Sequence, residues 1–128
     1  EIIRPYKRQL HTIEERGEFI DVRGRAIPLI RLHHLFNIDT TVKDIERGRC
    51  LMIDVDRKKY VILVDEIVNQ KQIVIKNLED NFRKVKGFSG VTILGDGNVA
   101  TILDPNEIVE LFKETQAFNS VLKEAACV

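Results

Sequence analysis

The run Gly87 to Asp104, GFSGVTILGDGNVATILD, constrains the fold of this chain more than any other stretch. Val91-Thr92-Ile93-Leu94 and Val99-Ala100-Thr101-Ile102-Leu103 are rich in β-branched and aliphatic residues, which favour extended backbone. The link between them, Gly95-Asp96-Gly97-Asn98, supplies the positive φ that a tight connection requires. The stretch therefore predicts a β-hairpin, and apolar residues on both faces predict that both strands are buried. Gly95-x-Gly97-x-x-Ala100 also imitates the Gly-rich fingerprint that seats a pyrophosphate on a helix N-terminus. Context opposes that reading. A helix would have to begin where Val99-Ala100-Thr101-Ile102 prefers strand, and Asp96 would set a carboxylate against the phosphates.

Strand signals separated by short turns recur along the rest of the chain, which predicts a mainly β fold. Phe19-Ile20-Asp21-Val22 leads through Arg23-Gly24-Arg25 into Ala26-Ile27-Pro28-Leu29-Ile30. Pro28 removes a ladder donor there and belongs on an edge or at a bulge. Cys50-Leu51-Met52-Ile53-Asp54-Val55 and Tyr60-Val61-Ile62-Leu63-Val64 flank the charged turn Asp56-Arg57-Lys58-Lys59, a second hairpin signal, and Gln72-Ile73-Val74-Ile75-Lys76 reads as a further strand. Short strands so spaced close most readily into small barrels. Leu32 to Phe36 can form a helical turn, and Asp39 to Gly48 is a polar connection.

The C-terminal helix has the clearest start. Asp104 is a cap, Pro105 suits the first helical position, and Glu107 stands three residues after the cap as in a capping box. Ile108, Leu111, Thr115, Phe118, Leu122 and Ala125 continue one apolar stripe without Gly or Pro. A helix running to the end would span roughly 36 Å, more than a small barrel covers. Two readings stay open: packing as far as about Thr115 with a loose tail, or a distal half that pairs with another chain.

Composition narrows the function classes. The chain has 128 residues and a formal net charge of zero, with basic residues spread along it, matched by acids, and no Trp. That balance argues against a nucleic-acid partner. No apolar run approaches the roughly 20 residues of a membrane span, and Glu1-Ile2-Ile3-Arg4-Pro5 is neither a signal nor a transit peptide, so the expectation is a cytoplasmic domain without membrane insertion. Cys50 and Cys127 form no CxxC or zinc spacing; Cys50 reads as a small buried hydrophobe.

Catalytic constellations are wanting. Adjacent helical positions point about 100° apart, so His33 and His34 do not make a metal pair, and His11 is isolated. Asp54, Asp56, Asp65 and Glu66 lack the calcium-loop pattern and read as solvated or turn-forming acids. Ser89 in Gly87-Phe88-Ser89-Gly90 lacks the glycine spacing and the strand-to-helix setting of a nucleophile elbow. No P-loop is present. The residues imply no catalytic site, metal or cofactor.

Taken together, Arg23-Gly24 with Ile27-Pro28-Leu29 and Leu32, Val64-Asp65-Glu66-Ile67-Val68 with Gln70, Val74-Ile75-Lys76, Gly87, Gly90, and Ile93-Leu94-Gly95-Asp96-Gly97 through Ile102-Leu103-Asp104 resemble the CheW-like domain family. The resemblance covers about Ile2 to Phe112. The Val74-Ile75-Lys76 block and the Ile93 to Gly97 hairpin are more similar to the form at the C-terminus of the chemotaxis histidine kinase CheA than to the free-standing adaptor CheW. The resemblance implies two small five-stranded β-barrels side by side with a C-terminal helix, over residues 1–112, followed by a helical extension or tail over 113–128. It implies a docking module of a chemotaxis two-component system, not an enzyme. Its implied partners are the CheW adaptor and the chemoreceptor cytoplasmic tip, so the domain would be cytoplasmic and associated with receptor arrays. A free-standing CheW-type adaptor is the alternative.

The sequence departs from the family pattern in two places. The family's opening apolar strand, ahead of the point matched by Ile2-Ile3, is not found in it. An edge left unpaired would invite a homodimer, as would the C-terminal helix. The helical pattern beyond Lys113 is the second departure. With the catalytic and phosphotransfer domains of the kinase also outside it, the chain is expected to be a fragment or a detached module. For recognition, Arg23, Gly24 and Arg25 at a hairpin tip, with Pro28, are the candidate binding residues. The matching Arg-Gly of the adaptor family lies near its receptor-contacting surface. The alternative is that Gly24 only makes the turn and Arg23 is its solvated flank.

Overall fold

A computed structural model of the chain describes residues 1–13, 17–68 and 87–126, with side chains as far as residue 117. The chain divides into two compact units, one of residues 1–68 with 112–128 and one of residues 69–111.

The first unit holds a six-stranded sheet. Its strands are β1 (Ile2–Ile3), β2 (Leu10–Ile13), β3 (Gly17–Val22), β4 (Arg25–Arg31), β5 (Arg49–Val55) and β6 (Lys58–Val64), in the spatial order β1-β5-β6-β4-β3-β2. All neighbours are antiparallel except β4 and β6, which run parallel with Leu29 opposite Val61 and Arg31 opposite Leu63. The ladder runs open from β1 to β2 among the described residues. The mainly β expectation holds. The sequence did not disclose β1 or β2, because two residues, or four interrupted by His11 and Thr12, carry too little periodicity to read.

Burial explains why the central strands form. Tyr60, Val61, Ile62 and Leu63 are all buried, so β6 reads as a continuous apolar run, as a strand covered on both faces should. Ile20, Ile27, Leu29, Ile45, Cys50, Met52, Val61 and Leu63 form one cluster, against which Ile3, Leu10 and Val22 pack. Ile45 belongs to the stretch read as a polar connection, and it pins that connection to the core. Gly48 shows how closely the chain approaches there: a Cβ on it would lie 2.8 Å from the Val64 carbonyl oxygen and 2.8 Å from Leu63 Cδ1. The expected helical turn is α1 (Leu32–Leu35), which ends on Asn37 at φ 53°.

In the second unit β7 (Phe88–Ile93) pairs with β8 (Val99–Leu103), as the Gly-rich run predicts, with Ser89 bulged out between Phe88 and Gly90. Burial of both strands does not hold. Gly90 and Thr92 are buried on one face of β7, whereas Ile93 and Val99, paired next to the loop, are 58% and 65% exposed. Apolar character on two faces does not itself supply a cover, and this ribbon has no third strand among the described residues. Gln72 to Lys76, read as a strand, lies outside the described residues.

Helix α2 (Pro105–Ala126) begins where the sequence placed it. The Asp104 carboxylate accepts from the Asn106 N–H at 3.0 Å, and the Asp104 carbonyl accepts from the Ile108 N–H. The capping box is rerouted. Glu107 accepts from the Gly87 N–H at 3.1 Å, while the Asp104 N–H donates to the Gly87 carbonyl at 2.8 Å. The nearby strand end competes with the helix's own backbone for the same groups. Ile108 of the predicted stripe is buried, Thr115 is exposed, and helical backbone continues to Ala126. The stripe's Phe118, Leu122 and Ala125 side chains lie outside the described ones.

Candidate docking surface

Two hairpin tips build the candidate surface. Val22 pairs with Arg25 and Val55 with Lys58, so each hairpin turns on two residues, Arg23-Gly24 in one and Asp56-Arg57 in the other. All four residues have positive φ, at 53° and 81° in the first turn and 51° and 63° in the second. That is the signature of the primed turn whose twist matches paired strands. In the first turn the Gly24 N–H donates to Asp21 Oδ1 at 3.0 Å. The charged loop Asp56-Arg57-Lys58-Lys59 thus contracts to two residues, with Lys58 and Lys59 already in β6. Lys59 pairs with Asp54 at 3.1 Å, and Asp56 makes the turn, as its sequence reading anticipates.

Arg23 is 83% exposed and lies 3.8 Å from the Glu1 carboxylate, a loose surface pair of little energetic weight. Pro28 is not on an edge strand or at a bulge; it stands in β4, an interior strand. The register explains how the sheet tolerates it. Arg25 to Pro28 pair with β3, and from Leu29 onward β4 pairs with β6, so Pro28 sits where the strand changes partner. Counting back from the turn, alternate pairs exchange hydrogen bonds, which makes Phe19 opposite Pro28 a non-bonded pair that needs no proline N–H.

That change of partner opens a groove. The parallel ladder begins at Leu29 and Val61, so the first halves of β4 and β6 are not paired with each other. Arg25, Ala26, Ile27, Pro28, Arg57, Lys58, Lys59 and Tyr60 line the resulting groove of ≈ 250 Å³. Ile27 and Tyr60 are buried, while Arg25, Arg57, Lys58 and Lys59 are exposed. Arg25, Arg57 and Lys58 have no ion-pair partner among the described residues. The structure therefore brings Arg25 and Pro28 into one groove and leaves Arg23 and Gly24 at its tip. It adds Arg57, Lys58 and Lys59, which sequence reasoning saw only as a charged turn. No local signal announces that a parallel pairing sets them beside Arg25.

Other candidates have structural duties. Arg31, at the end of β4, holds Glu18 through two contacts of 2.7 and 2.9 Å and donates to the Lys43 carbonyl, tying the 39–48 connection to the sheet. The Arg31 hydrogen bond holds the Glu18 carboxyl below its ordinary value of 4.5. The pair's contribution is therefore complete above that pH and fades as pH falls through the lowered value. A second cavity, lined by Glu18, Arg31, His34, Phe112, Thr115 and Gln116 among others, lies beside this pair. His33 and His34 stack with ring centroids 6.2 Å apart, and no group of metal-capable side chains occurs among the described residues. Burial pushes the Cys50 thiol up to about 11, so it stays a neutral core group, while Cys127 lies outside the described residues. Ser89 donates to the Ile102 carbonyl at 3.4 Å, and Asp96 accepts from the Asn98 backbone and side chain at 3.0 and 2.9 Å to close its loop. The Gly95 to Ala100 run is thus a strand connection, not a phosphate cradle. No helix among the described residues is long and apolar enough to cross a membrane.

Comparison with known proteins agrees with this architecture. The family model described as the CheW-like domain matches residues 1–113. The chemotaxis protein CheA of Salmonella typhimurium is 37% identical over 114 residues, covering 89% of this chain and 17% of that protein. CheA of Bacillus subtilis is 38% identical over 92 residues, covering 72% of this chain and 14% of the relative. The chain thus spans less than a fifth of the length of these relatives. The crystal structure of the scaffolding protein TtCheW from Thermoanaerobacter tengcongensis has a TM-score of 0.59 at 18% identity, covering 84% of this chain and 77% of the other. With the family model spanning nearly all its residues, and the fold shared with TtCheW, the chain belongs to the CheW-like domain family.

Proposed function

We propose that the chain is the docking module of a chemotaxis histidine kinase, binding a CheW adaptor and chemoreceptors and coupling receptor state to kinase activity. The observation that carries this reading is the exposed Arg23-Gly24 tip with Arg25 and Pro28 behind it, whereas the Glu18–Arg31 and Asp96–Asn98 contacts serve the fold. Similarity to CheA proteins at 37% and 38% identity favours the kinase form over the adaptor. The fold shared with TtCheW favours the second reading, a free-standing adaptor between receptor and kinase. In this proposal residues 1–112 form the regulatory domain and 113–128 a helical extension. The module works in the cytoplasm beneath receptor arrays, and a homodimer through an edge strand or the terminal helix is open to it. Titration calorimetry with the CheW adaptor from the same source, and separately with the kinase's remaining domains, tests it. Heat with the adaptor alone supports the kinase form, heat with the kinase domains supports the adaptor form, and none with either overturns both.

A further inference from the structure

We propose that the groove between the two hairpin tips seats an extended, acidic peptide segment of a partner protein, held by Arg25, Arg57 and Lys58; this rests on the docking function above. Three observations converge. The first halves of β4 and β6 lie side by side without pairing, so two strand edges face the same groove. An extended chain lying there meets main-chain donors and acceptors as well as side chains. Beside the gap Ile27 lies on the core face and Tyr60 on the opposite face, each 4% exposed, so an extended segment seated between the strands has an apolar neighbour on either side. The walls are basic: Arg25, Arg57, Lys58 and Lys59 line the groove, and only Lys59 has an acidic partner, Asp54, among the described residues.

Charge complementarity selects carboxylates, and the chain's overall balance selects a short segment. With formal net charge zero there is no extended positive field to draw a nucleic acid or an anionic membrane. A few acidic side chains alternating with apolar ones match what the groove offers. Arg57 adds a structural argument, because it holds φ 63° where glycine would be the unstrained choice. A guanidinium is thus kept at the mouth of the groove at a conformational cost.

Fluorescence anisotropy with a labelled peptide alternating Glu and Val, against its Gln and Val counterpart, tests the proposal. The Glu peptide should bind at least about tenfold more tightly, and Arg25→Gln with Lys58→Gln should weaken it about tenfold. Arg57→Gly should weaken it several-fold while the melting temperature holds or rises, which separates lost charge from lost fold. Equal affinity for the two peptides, indifference to these variants, or tighter binding of a single-stranded oligonucleotide or phosphatidylserine vesicles would overturn it. The CheW adaptor, titrated in parallel, distinguishes the two levels. Adaptor binding without peptide binding removes this occupant and leaves the docking function. Peptide binding without adaptor binding keeps the groove and removes the adaptor as its partner.

Discussion

The turns Arg23-Gly24 and Asp56-Arg57 share one backbone solution and differ in chemistry. Both close two-residue hairpins with positive φ at each position. The first meets the second left-handed position with glycine, which adopts it freely; the second meets it with arginine, which does not. Gly24 has nothing within 4 Å of where a Cβ would stand, so its requirement is purely conformational. In Arg57 the side chain has been kept in spite of the backbone. Gly24 is therefore legible as a turn residue, and Arg57 becomes a candidate for function.

Substitutions in the two turns test this contrast. The largest effect is expected from Gly24→Val, which forces a β-branched residue into the left-handed region and should cost about 2 kcal/mol by denaturant melts. A loss no greater than that of an exposed strand position would show that the first turn tolerates what the second does. Arg57→Gly should move stability the other way, by about +0.5 to 1 kcal/mol, since relief of strain exceeds the added freedom of the unfolded chain. The same melts check it, and a fall in stability would show that Arg57 supports the fold. Smaller still is Asp21→Ala, which removes the acceptor of the Gly24 N–H and should cost about 0.5 kcal/mol at an exposed site. In the second turn Asp54 holds only the exposed Lys59 ammonium and no turn N–H among the described residues, so Asp54→Ala should cost less. Arg23→Glu should leave the melting temperature unchanged, because its pair with Glu1 is exposed and 3.8 Å long, while adaptor affinity falls about tenfold.

The parts of the molecule legible in the sequence were those encoded locally. The β7–β8 hairpin followed from a glycine-rich loop between two apolar runs, the start of α2 from Asp104 and Pro105, and the β5–β6 hairpin from two apolar runs around charged residues. What escaped was set by distant partners. Pro28 looked like an edge residue because one strand alone does not reveal that its neighbour changes from β3 to β6 at that point. Glu107 looked like a capping-box partner because Gly87 is far away in sequence. The exposure of Ile93 and Val99 depends on what covers the hairpin. The same limit applies to the candidate surface: Arg23, Gly24 and Arg25 stand together in sequence, whereas Arg57 and Lys58 join Arg25 only through the parallel pairing of β4 and β6.

In the proposal above, this end of the sheet is the docking surface. An amide NMR spectrum of the labelled chain, recorded as unlabelled CheW adaptor is added, tests it most directly. Dispersed peaks are expected, of which those of Arg23 to Ile27 and Arg57 to Tyr60 shift or broaden selectively, Pro28 having no amide proton. A dispersed spectrum in which those residues stay still, whether the adaptor binds elsewhere or not at all, would contradict it.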